Sequence, residues 1–143
     1  MSNLQAAVGV AQMERLTETL QKKRQIGAWY DELLAEVDAL ERSPTRTHCA
    51  ENIYWDYGVV LKESASIDAR EAIRRMQAKA IGTRPFFWPM HEQPVFRKMG
   101  LFAGASCPVA ERIARRGFYI PSGVALTLNQ AERVAEALRE ILA

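Results

Sequence analysis

The sequence has few residues of the types that cross-link a small fold or hold a metal ion: two cysteines and two histidines among 143 residues. Cys49 and Cys107 are too few for a disulfide framework, so we expect a reduced, cytoplasmic setting. His91 has no histidine, cysteine or acid at a metal-ligand spacing, so no metal site is predicted. His48 and Cys49 are adjacent, and because adjacent side chains rarely face each other, we do not expect them to form a catalytic pair.

An excess of one charge and long apolar runs are also lacking. The 19 lysines and arginines nearly balance the 17 acidic residues, and the net charge of +2 creates no strong field to attract nucleic acid. No apolar run approaches the roughly 18 residues that cross a bilayer, and residues 1–4 do not resemble the start of a signal peptide. Nucleic acid and membrane are therefore disfavoured as partners. With 48% hydrophobic and 25% charged residues, the composition is that of a folded globular protein.

The first forty residues contain no proline and have apolar residues at helical spacing. Leu4, Ala7 and Val8 belong to a first stripe of mostly small residues, and a second stripe runs from Trp29 to Leu40. We therefore predict one long helix over residues 1–42, capped by Ser2 or Asn3. Such a helix would span roughly 60 Å, more than the diameter of a small domain. The small-residue stripe predicts that it packs against another domain or another subunit.

Residues 43–143 have the pattern of a small α+β domain. The pattern predicts strands over 52–61, 83–87 and 118–120, and helices over 68–80, 109–116 and 130–142. Asp68 with Glu71, and Asn129 with Glu132, have the spacing of capping boxes. Pro85 confines its strand to an edge or a bulge of the sheet.

Residues 82–94 (GTRPFFWPMHEQP) form the one segment rich in possible chemistry. The proline-stiffened loop carries a cation, aromatic rings and an imidazole, which suits a flat, anionic ligand: rings stack on it, and Arg84 pairs with phosphate or carboxylate. The alternative is a loop whose aromatic residues only cover the core. Elsewhere, we expect Cys107 to pack in the interior, and the basic cluster from Arg70 to Lys79 to be a solvated helix face.

Four segments resemble the C-terminal part of the DegT/DnrJ/EryC1/StrS sugar aminotransferases: SNLQAAVGVAQME at 2–14, GTRPFF at 82–87, PMHEQP at 89–94 and RGFYIPSG at 116–123. Within that family the four segments are most similar to those of perosamine synthases. The resemblance implies the C-terminal small domain of the aspartate-aminotransferase fold (PLP fold type I): a short antiparallel sheet, helices packed on it and a long leading helix.

The resemblance also implies an activity for the parent enzyme. Members use pyridoxal 5'-phosphate, and perosamine synthases transfer an amino group from glutamate to a 4-keto-6-deoxy sugar nucleotide as homodimers. The family's Schiff-base lysine and most of its cofactor contacts belong to an N-terminal domain, and the five lysines here match none of its motifs. We therefore expect no catalytic or cofactor-binding residue in this chain, which alone should be inactive.

The substrate-binding residues that the resemblance and the loop chemistry together imply are Arg84, Phe86, Phe87, Trp88 and His91. A second interpretation is a non-catalytic dimerisation or ligand-binding module.

Overall fold

The computed structural model describes all 143 residues. The helices are α1 (Asn3–Glu14), α2 (Leu16–Leu33), α3 (Ala69–Ala78), α4 (Pro94–Lys98), α5 (Pro108–Arg116) and α6 (Leu128–Leu142), with a short 3₁₀ turn at Met90–Glu92. The strands are β1 (Leu40–Arg42), β2 (Tyr57–Leu61), β3 (Arg84–Pro85) and β4 (Gly117–Ile120). They form one sheet in the order β1-β2-β4-β3, with every neighbouring pair antiparallel. The predicted α+β class with a short antiparallel sheet is confirmed.

The hydrophobic core lies on one face of this sheet. Val59 pairs with Phe118 and Tyr57 with Ile120 across β2 and β4, so these alternate residues share a face. With α2, α3 and α6 they build a cluster of 20 buried residues, in which Tyr30 of α2 is fully buried. The other face presents Gly58, Gly117 and Tyr119. Glycine leaves room there for a side chain from elsewhere, which positions the site described below.

The single leading helix predicted over residues 1–42 is wrong in its extent. The helix breaks at Arg15, where φ is −102° and ψ is 9°, and α2 ends at Leu33. Leu34 and Leu40 are both buried, but Leu34 is the C-cap residue of α2 and Leu40 begins strand β1, which pairs with β2. Both residues are buried because a turn between them brings the chain back to the core, and in the sequence this produces the same spacing as the apolar stripe of one helix.

The strand predicted over 52–61 begins only at Tyr57. Tyr54 interrupts it with a φ of 51°, and the Asn52 side chain accepts a hydrogen bond from the Tyr54 amide at 2.7 Å. The Tyr54 hydroxyl then reaches Asp31 at 2.6 Å. Residues 52–56 are therefore an irregular segment that buries the Tyr54 ring and leaves Trp55 exposed.

The observed N-termini of the helices agree only in part with those predicted from the sequence. Asp68 caps α3 by accepting a hydrogen bond from the Glu71 amide at 2.8 Å, as predicted. The Glu71 side chain does not complete the predicted capping box, because it accepts from Arg74 and Arg75. The last helix begins two residues earlier than predicted, because Thr127 and Gln130 form the reciprocal capping box in place of Asn129 and Glu132. Strand β3 lies at the sheet edge, where a proline is tolerated.

Helix α1 has no buried residue. Its larger apolar side chains face outward, with Leu4 80% and Val8 60% exposed. The structure thus leaves the first stripe uncovered, and the predicted partner for it remains a prediction. None of the helices combines the length and the apolar character needed to cross a membrane.

Candidate functional site

A cleft of about 1210 Å³ opens where strand β3 meets helices α3 and α5. Arg84, Phe86, Phe87 and Trp88 all contribute to its lining. The strand pairing fixes the position of Arg84, because this residue lies opposite Tyr119 at the edge of the sheet. The structure therefore brings four of the five predicted site residues together.

Phe86 anchors this loop to the outer face of the sheet. Its ring lies 4.4 Å from that of Tyr119, centroid to centroid, and covers Gly58 and Gly117. A β-carbon built on Gly117 would lie 2.5 Å from the Phe86 ring, so the close approach requires glycine. Phe87 and Trp88 stay largely open to the cleft, 79% and 44% exposed. The loop thus has one ring fixed to the sheet and two available for contact.

His91 lies behind the loop and does not line the cleft. Its side chain is only 10% exposed, and its Nε2 lies 2.9 Å from Glu111 Oε1. The same oxygen accepts a hydrogen bond from the Cys107 amide at 2.8 Å. Both hydrogen bonds lower the pKa of the Glu111 carboxyl, and the bond from the Cys107 amide has the larger effect. His91 therefore lies outside the cleft and ties the loop to α5, and its predicted contact with the substrate stays a prediction.

Cys107 is exposed, so the expectation that it packs in the interior is wrong. It precedes Pro108 as the N-cap residue of α5. Cys49 is exposed as well.

The fold brings Glu111 beside the adjacent residues His91 and Glu92, and the three are potential metal ligands. Donor atoms of His91, Glu92 and Glu111 lie within 4.8 Å of one another. However, Arg115 and Arg97 approach the Glu92 carboxylate to 2.7 and 3.9 Å. Two guanidinium groups thus already supply positive charge to this cluster, and a cation would be repelled by them. The prediction that the chain holds no metal stays a prediction.

Five arginines line the cleft, and four of them were not predicted from the sequence: Arg70, Arg112, Arg115 and Arg116 join Arg84. Three have protein partners. Arg112 pairs with Glu41 at 2.9 Å, Arg115 pairs with Glu92, and Arg116 donates to the Leu61 carbonyl at 2.8 Å. The side chains of Arg70 and Arg84 form no hydrogen bond or ion pair within the chain, so their guanidinium groups are free to meet an anion.

The basic residues of the α3 cluster are all exposed, as predicted for a solvated face, but they differ in their partners. Arg74 and Arg75 both bind Glu71, each at 2.7 Å, and Lys79 pairs with Glu140. Only Arg70, at the start of the helix, faces the cleft. The sequence spacing could not show this division because it depends on where α5 and β3 pack.

No lysine lines the cleft. Lys22 lies over the ring of Trp29, 4.6 Å from its centroid. Lys23 donates to the carbonyls of Trp55 and Ser122, and burial lowers the pKa of its amine. The amines nearest the core are thus engaged with other parts of the chain.

The fold is shared with aminotransferases of known structure. The crystal structure of the aminotransferase TlmJ from Streptoalloteichus hindustanus superposes with a TM-score of 0.82 and 27% identity, over 96% of this chain and 35% of TlmJ. Spr1654 from Streptococcus pneumoniae, in its PLP form, gives a TM-score of 0.87 at 17% identity over 100% of this chain and 37% of Spr1654. At that identity the likeness concerns the fold alone.

Residues 1–139 match the DegT/DnrJ/EryC1/StrS aminotransferase family, and the chain belongs to this family. A GDP-perosamine synthase from Caulobacter vibrioides is 32% identical over 142 residues, which cover 99% of this chain and 38% of the relative. The chain thus spans well under half the length of the curated relative. The family resemblance predicted from the four segments is confirmed.

Proposed function

We propose that this chain forms the C-terminal part of a pyridoxal-phosphate-dependent nucleotide-sugar aminotransferase. The whole enzyme would transfer an amino group from glutamate to a 4-keto-6-deoxy sugar nucleotide, as a perosamine synthase does in making a polysaccharide sugar such as those of O-antigens. The observation that carries the proposal is the cleft beside β3, in which an unpaired arginine lies next to two exposed aromatic rings. The 32% identity to a GDP-perosamine synthase supports the choice of substrate class.

The lining of the cleft suits a sugar nucleotide in each of its parts. The planar guanidinium of Arg84 can bind two phosphate oxygens at once, and it gives up no protein partner to do so. Phe87 and Trp88 offer flat apolar faces for the base or the sugar ring. Phe86 acts differently, since it is packed against Tyr119 and holds the loop on the sheet.

Pyridoxal phosphate supplies the electron sink for amino-group transfer when it is bound. The lysines of this chain do not fit the role of its Schiff-base partner, because none lines the cleft and Lys23 is held by two carbonyls. The proposal therefore assigns the cofactor lysine to a part of the enzyme outside this sequence. The exposed apolar side chains of α1 would pack on that part or on the second subunit of a cytoplasmic homodimer.

Isotope transfer tests the proposal. The whole enzyme, supplied with ¹⁵N-labelled glutamate and a GDP-linked 4-keto-6-deoxy sugar, should yield a sugar nucleotide that carries the label, detected by mass spectrometry. The chain alone should yield none, and borohydride treatment with pyridoxal phosphate should label no lysine specifically. No transfer by the whole enzyme, or a specific adduct on one of the five lysines, would contradict the proposal.

A non-catalytic dimerisation module is the second candidate, favoured by the uncovered apolar residues of α1. Light scattering on the chain measures its self-association. A dimer accompanied by no transfer in the whole enzyme would favour this second function.

A further inference from the structure

Arg115 lies between the loop that carries Trp88 and the helix behind it. Its Nη2 donates to Glu92 Oε1 at 2.7 Å, and its Nη1 donates to the Glu111 carbonyl one turn earlier in α5 at 3.1 Å. Two acceptors on different elements therefore fix the plane of the guanidinium. The Glu92 side chain is itself only 10% exposed, so this anchor has little freedom to move.

The guanidinium fixed in this way lies over the indole of Trp88, with Cζ 5.0 Å from the ring centroid. A cation at that distance is attracted to the electron-rich face of the ring. The Trp88 carbonyl also accepts a hydrogen bond from the Gln93 side chain at 3.1 Å. The side chain is nevertheless 44% exposed, so the ring keeps surface that a ligand can reach. No other part of the chain forms an aromatic contact with this indole.

We propose that Arg115 is a positioning residue that holds the Trp88 indole in the orientation in which it meets the nucleotide or sugar ring. The proposal rests on the proposed function for the identity of that ligand, but not for the coupling between Arg115 and Trp88. Without Arg115 the indole would lose the cation held over its face, while the hydrogen bond from Gln93 to the Trp88 carbonyl would not fix the ring. Because a cation–π attraction at an exposed site corresponds to about a two- to fivefold change in population, we expect the oriented state of Trp88 to become less populated by about that factor.

Fluorescence isolates Trp88 after Trp29→Phe and Trp55→Phe remove the other two of the three tryptophans. In this background Arg115→Gln should shorten the anisotropy decay of Trp88 and increase its quenching by acrylamide. Arg115→Lys keeps the charge but cannot reach both acceptors and the ring, so its effect should be intermediate. Arg112→Gln is the matched control for fluorescence, since Arg112 lies on the same helix but pairs with Glu41 at 2.9 Å.

Thermal midpoints are measured for every variant, and Glu92→Gln provides a second route to the same effect if Arg115→Gln folds poorly. Equal anisotropy and quenching in the Arg115 and Arg112 variants would overturn the coupling. In the whole enzyme, Arg115→Gln should raise KM for the sugar nucleotide about two- to fivefold with kcat unchanged; an unchanged KM would overturn the role in binding. Failure of the proposed function would appear separately, as absence of amino transfer in the unsubstituted enzyme.

Discussion

Two glycines against the Phe86 ring, Gly58 and Gly117, and one away from it, Gly82, allow the packing of the site loop to be tested by adding one methyl group at a time. Replacing glycine by alanine at a compatible position stabilises a protein by about 0.4–1 kcal/mol through the unfolded chain. A β-carbon added at Gly82 would have no atom within 4 Å, so Gly82→Ala should show this gain. At Gly58 the β-carbon would lie at an ordinary contact distance of 3.6 Å from the Tyr119 ring and would come too close, at 2.8 Å, only to the tip of the Phe86 ring. That ring can shift, and we expect a net change within about 1 kcal/mol.

Gly117→Ala should be the costly member of the series. Its β-carbon would lie 2.5 Å from Phe86 and 2.6 Å from the backbone oxygen of Ile113, and the backbone cannot move aside as a side chain can. Overpacking of this kind costs about 1–3 kcal/mol, which exceeds the gain from the unfolded chain. We therefore expect a net loss of about 1–2 kcal/mol in the free energy of unfolding.

Urea unfolding with a common m-value measures the glycine series. The expected order of stability is the Gly82 variant, then the Gly58 variant, then the Gly117 variant. If Gly117→Ala proves as stable as Gly82→Ala, Phe86 does not pack tightly against the sheet, and the anchor assigned to the site loop is wrong.

Two further predictions concern other regions. Because α1 buries none of its residues, its amides in residues 4–16 should exchange with solvent much faster than those of β2 unless the chain self-associates; equally slow exchange in a strictly monomeric sample would contradict this. Arg74 and then Arg75 lower the pKa of Glu71 to about 2, so its stabilising contribution should be complete above the usual value of 4.5 and should disappear as the pH falls toward 2. Glu71→Gln should remove that part of the acid dependence, measured by thermal midpoints from pH 5 to 2; an unaltered dependence would mean that the ion pairs do not persist in solution.

The sequence predicted those elements whose signals are local. Pro108 and Gly117 bracket α5, Asp68 caps α3, and Pro85 lies on the edge strand β3. In each case the signal and the structure lie within a few residues of each other. The loop of residues 84–88 was found for a similar reason, since its unusual residue types are consecutive.

What the sequence did not show depends on distant packing. The strand predicted over 52–61 is interrupted at Tyr54, whose hydroxyl donates a hydrogen bond to Asp31, 23 residues earlier in the chain. His91 has residue chemistry suited to a ligand, yet Glu111 in α5 turns it behind the loop. The free guanidinium of Arg70 and the contact of Arg115 with Trp88 likewise arise only when α3, α5 and β3 converge. The periodicity of apolar residues along the sequence contains no information about these contacts between distant elements.

The most direct test of the site is Arg84→Ala in the whole enzyme, with sugar-nucleotide affinity and thermal midpoint measured on the same preparation. Losing a hydrogen bond to a charged group costs about 1.5–3 kcal/mol, so the dissociation constant should rise about 10- to 150-fold. An exposed arginine without a protein partner contributes under about 0.5 kcal/mol to stability, so the midpoint should hardly change. Unchanged affinity together with a lowered midpoint would show that Arg84 is structural, and the assignment of the cleft to the sugar nucleotide would be wrong.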